Sequence, residues 1–94
     1  MQRATDRAGV TVPTVHLNGT GRDALSRQYR DAAEAIQAAI IAHADAAPHG
    51  RDYYPQGGDA YRQASREHGE RDARLRAVLA EVDAMWEHIE GLCR

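Results

Sequence analysis

The sequence predicts an all-α fold: a long antiparallel helical hairpin preceded by an extended arm and assembling into a helical bundle. Two observations carry this expectation. Leu25, Tyr29, Ala32, Ile36, Ala39 and His43 recur at alternating steps of four and three, and so do Tyr61, Ala64, His68, Arg71, Leu75, Val78, Val82, Met85, Ile89 and Leu92. Such spacing places each set on one stripe of a helix. Between the two sets lies Pro48 to Gly58, a Gly-, Pro- and Tyr-rich stretch that breaks helices and turns the chain.

Residues 1–17 read as the arm and residues 18–94 as the hairpin. Met1 to Gly9 alternates in charge without an apolar pattern, so it is expected to be flexible or ordered only by a partner. Val10, Val12, Val15 and Leu17 are β-formers, but Pro13 removes a backbone donor among them, which favours an extended arm or edge strand. Asn18-Gly19 signals a turn, and Thr20 with Asp23 forms a capping-box variant, so the first helix is expected over about 21–46, ending at Pro48 and Gly50. The second is expected over about 58–92, with Asp59 at the positive end of its dipole. Asp23 with Arg27, Glu67 with Arg71, Glu70 with Arg74 and Asp72 with Arg76 have i,i+4 spacing for ion pairs. Gly69 interrupts the second helix, which implies a close helix approach or a bend there.

Unequal helix length is the next consequence. If both helices begin flush at the loop, the second overhangs by roughly 13 Å at 1.5 Å per residue. That overhang would begin near Ala84 and carry Met85, Trp86, Ile89 and Leu92, too much apolar surface to leave in water. Two coverings are expected, the folded-back arm and another subunit. Leu75, Val78, Leu79, Val82, Met85, Trp86 and Ile89 are accordingly assigned to an oligomer interface.

Composition narrows the function classes. A chain of 94 residues without Phe is short of core, and small helical units commonly borrow surface from a neighbour. All basic residues are Arg, with no Lys and a single Asn, a bias that a GC-rich genome explains. A net charge of −2 argues against general nucleic-acid affinity. Cys93 cannot staple its own chain, which fits a reducing compartment, and no signal-peptide or membrane-span pattern occurs.

Sites for chemistry are scarce. His16, His43, His49, His68 and His88 contain no i,i+4 pair on one helix, and in a flush register His43 falls near Tyr61 with His68 about two turns away, so no metal or organic cofactor is expected. His68 and Arg71 sit at inward positions where a polar layer could fix register, unless both reach solvent. The carboxylate pairs Glu67 with Glu70 and Glu87 with Glu90 read as a solvated face, and neither serine lies in a nucleophile motif, so no enzymatic activity is expected. The least generic segment is Gly50-Arg51-Asp52-Tyr53-Tyr54-Pro55-Gln56-Gly57. Its Arg51, Tyr53, Tyr54 and Pro55 have the character of an interface anchor and are assigned to a partner-binding loop.

That loop and Thr14-Val15-His16-Leu17-Asn18-Gly19-Thr20, with helices between and after them, resemble small helical proteins encoded by phages and prophages of GC-rich proteobacteria. The likeness spans residues 14 to about 90 and rests on turn signatures, so it implies a mobile-element source and no activity. The expected role is a non-enzymatic, self-associating interaction or structural protein acting in the cytoplasm or in a virion. The alternative is a small regulator that binds nucleic acid, or a nucleic-acid enzyme, through Arg62, Arg66, Arg74 and Arg76.

Overall fold

A computed structural model of the chain describes residues 3–6 and 9–91; Leu92 and Cys93, which the stripe and the cysteine argument included, lie outside them. Two helices dominate, α1 over Arg22–Asp45 and α2 over Gly58–Gly91, and they pack against each other along their length. The hairpin expected from the heptad spacing is therefore the architecture. Its shape is a rod of 61 × 25 × 21 Å with a radius of gyration of 18.8 Å, whereas a compact domain of this length has about 12 Å.

The connection between the helices is two 3-10 turns, Gly50–Asp52 and Tyr54–Gln56, the second of which packs on α2. Gly57 then takes φ +104°, a conformation that L side chains rarely adopt, and directs the chain into α2. At the other end α1 is capped by the extended backbone of Gly21 without a side-chain bond. The Thr20–Asp23 capping box does not form, because the Asp23 carboxylate accepts a 2.8 Å bond from the adjacent Arg22.

The arm is not simply extended. Val12 N–H donates to the Ala4 carbonyl, Asp6 N–H donates to the Val10 carbonyl, and Thr5 bridges Thr11 antiparallel, so residues 4–6 pair with 10–12, and Gly9 takes φ +85°. Val12 is buried. Ala84 and His88, on the side of α2 turned away from α1, are half-buried. Successive helical residues advance about 100°, so these two share a face roughly opposite that of Trp86 and Glu90, which bond α1.

The inward stripe of α1 differs from a strict heptad. Leu25, Tyr29, Ala33, Ile36, Ile40 and His43 are buried or half-buried, while Ala32 and Ala39, which the heptad spacing places inward, are exposed. A straight helix turns once in 3.6 residues rather than 3.5, so over several turns the contact line slides off the heptad. For the same reason Arg71 and Val78 are exposed on α2, and Asp72 and Leu79 lie nearer the seam. Of the expected ion pairs Asp72 with Arg76 forms, at 2.8 Å, whereas Glu67 accepts from Gln63 and Asp59 pairs with Arg62. Gly69 faces open space, so no close helix approach requires it, and it costs about 1 kcal/mol relative to Ala.

The overhang lies at the opposite end from that expected. Arg22 and Ser26 of α1 bond Glu90 of α2, so the end of α2 is level with the start of α1. At the other end His43 stacks on His68. The ten-residue excess of α2, roughly 15 Å, therefore protrudes past Asp45 toward the loop. Flush helices would need a tight turn, but residues 46–57 are long enough to run back beside the first turns of α2.

Candidate interaction surface

Three places on the rod gather the polar and apolar side chains that could act. At the closed end, Ser26 Oγ donates to Glu90 Oε1 and accepts from Trp86 Nε1 at 3.2 Å, while Arg22 donates to Glu90 Oε2 at 3.2 Å. Glu90 is therefore fastened to α1 and is not part of the solvated carboxylate face to which it was assigned with Glu87. Arg22 and Ser26 are spaced i,i+4 on α1, as are Trp86 and Glu90 on α2, but the two pairs come from opposite ends of the sequence and neither announces the other. Its chemistry is structural: a half-buried carboxylate is held by a hydroxyl and a guanidinium, and the indole N–H is satisfied.

Ile89, beside Glu90, is 0% exposed and is the one fully buried side chain among the described residues. The sequence places it at an interface between copies, but it has no exposed surface left for a second molecule within this single chain. Leu79, Val82, Met85 and Trp86 are half-buried there too. Of that assigned set Leu75 and Val78 lie where a second molecule can reach them, with Val78 46% exposed.

Where the last turn of α1 meets α2, the rings of His43 and His68 stack with centroids 3.9 Å apart and planes 11° from parallel. Both ring nitrogens of His43 are buried without a hydrogen-bond partner. Stacked rings direct their nitrogens outward around the stack rather than at a common point, which is the wrong geometry for shared metal ligation. The flush register had separated these residues by two turns; moving the overhang to the loop end brings them together. The pKa of His68 is lowered, first by desolvation and then by His43 and Arg71, with Asp72 opposing. Beside the stack an open recess of about 270 Å³ is lined by His43, Arg71, Arg74, Leu75 and Val78.

The loop end presents Tyr54, 76% exposed, with Arg51 and Pro55 also exposed; Tyr53 turns half inward. The expected pair of projecting rings is thus one free ring and one partly buried one. Arg62, Arg66, Arg74 and Arg76 are exposed, but Arg62 and Arg76 are engaged by Asp59 and Asp72, which breaks up a basic stripe. Among the described residues no three His, Cys, Asp or Glu side chains form a group that could hold a metal ion, and no helix is long and apolar enough to cross a membrane. Compared with known protein families, curated proteins and solved structures, this chain matches none.

Proposed function

We propose that this chain is a non-enzymatic interaction or structural protein that associates with itself, the flank of α2 around Leu75 and Val78 forming the contact between copies. One observation carries the reading. The chain exposes 7034 Å², whereas a compact monomer of its 10.4 kDa mass exposes about 5,400 Å². Four apolar side chains, Val12, Leu25, Ile40 and Ile89, constitute the buried core among the described residues. So thin a core supplies little of the burial that offsets the conformational entropy of ordering long helices, and a second copy would supply more. Full-length protein at micromolar concentration should elute as a dimer or larger species, its mass measured by light scattering. A monomer of full helicity under those conditions overturns the reading.

The loop end serves, in the same proposal, as the surface for a different protein. Tyr54 can bury a large ring at little entropic expense because Pro55 restricts the adjoining backbone, and an aromatic anchor of this kind contributes about 2 kcal/mol or more. Replacing Tyr53 and Tyr54 together by Ala should reduce capture of a protein partner from cells of the source organism at least tenfold, with the oligomer unchanged, since the contact between copies lies elsewhere. If the double substitution dissociates the copies or lowers helicity, the rings are caps of the hairpin and the loop is not a recognition surface. A phage or prophage origin, with a place in the host cytoplasm or the virion, belongs to this proposal through the turn signatures around Asn18 and Tyr53.

A further inference from the structure

We propose that the second copy docks in antiparallel orientation, α2 against α2 about a two-fold axis at Val78, so that two hairpins close a four-helix bundle. This rests on the self-association reading and adds the partner's direction and register. Arg71, Arg74, Val78 and Glu81 follow one another at steps of three, four and three, which sets them on one stripe of α2 beside the seam. All four are exposed, and the recess lies against the upper part of that stripe, its floor formed with Leu75 and His43. On α1, Ala32 and Ala39 precede His43 by steps that keep them on its flank, and both are exposed. The wall opposite Val78 is therefore low, and a helix can approach it closely.

Charge decides the direction. The stripe is basic before Val78 and acidic after it. A parallel pair would set Arg71 and Arg74 against their own copies, stacking like charge on like charge along the contact. Turned antiparallel about Val78, each Arg74 meets the partner's Glu81, because Arg74 lies four residues before the axis and Glu81 three after it. The two-fold makes this pairing twice, as an isologous interface requires. Exposed ion pairs contribute little affinity, so burial of Val78, Leu75 and the recess holds the copies together while the charges select their orientation.

Charge exchange on the full-length protein tests this, with the dimer dissociation constant measured by sedimentation across a dilution series and helicity checked by circular dichroism. Glu81→Arg and Arg74→Glu should each weaken the dimer about tenfold, since each creates two like-charge contacts. The double variant R74E/E81R should recover the wild-type constant to within about threefold, because the pairs are re-formed with reversed sign. In a parallel dimer the double variant would gain nothing over the single ones. A wild-type dimer whose constant is unmoved by either single change, or is not restored by the double, overturns the antiparallel register and leaves self-association standing. A wild-type monomer overturns both.

Discussion

Replacing Ile89 by Ala is expected to destabilise the chain by about 2–5 kcal/mol, the range for truncating a buried isoleucine to Ala. The residue has no solvent exposure and sits beside Glu90, at the end of the rod where α1 and α2 are bonded together. Few other buried side chains can relax into the space, so the upper half of that range applies. Because a small helical domain is stable by only about 5–15 kcal/mol, the loss should appear as partial unfolding at room temperature. Urea denaturation followed by circular dichroism measures it, and Trp86 fluorescence reports the same end, since the indole bonds Ser26 one helical turn from Ile89. A loss below about 1 kcal/mol would mean that the arm and helix ends repack freely, and that the core is not where the burial places it.

Acidification is expected to loosen the hairpin where the last turn of α1 meets α2. The pKa of folded His68 lies below the ordinary value of 6.5, pushed down by desolvation and by the neighbouring His43 and Arg71. The unfolded chain, whose histidines titrate at the ordinary value, therefore binds more protons than the folded chain once the pH drops below about 6.5. Stability contributed by the neutral ring is complete above that value, is lost as pH falls through it, and continues to fall until the folded His68 itself protonates. Geometry points the same way: a protonated His68 would be a cation stacked 3.9 Å from a second imidazole and beside Arg71, where it is poorly placed. The melting temperature should be lower at pH 5.5 than at pH 7.5, and His68→Gln should flatten that slope. Identical melting curves for the wild-type protein at the two pH values would show that the stack tolerates a proton.

The pH effect and the charge-selected dimer meet at one place. Arg71 both depresses His68 and lines the recess beside Val78. Local loosening of the stack would alter the wall against which a second copy packs, so the dimer constant is best compared among variants above pH 7, where His68 is neutral.

What the sequence determined by itself is the hairpin. Helix periodicity, the breakers between Pro48 and Gly58, and the shortage of large apolar residues are local properties, and they led to two long helices whose ends, Arg22–Asp45 and Gly58–Gly91, fall within about a residue or two of those expected. Tertiary structure alone decided how the helices slide along each other. The sequence offers no strong register marker, since Ala recurs along α1 and either end of α2 could have protruded. Side chains far apart in the chain settle it: Ser26 with Glu90 and Trp86, and His43 with His68. That choice moves the overhang to the loop, hides Ile89 inside one chain, pairs two histidines that a flush register separates, and leaves Val78 and Tyr54 outward. Contacts of long sequence separation leave no periodic trace, and they determine which apolar residues remain for a partner.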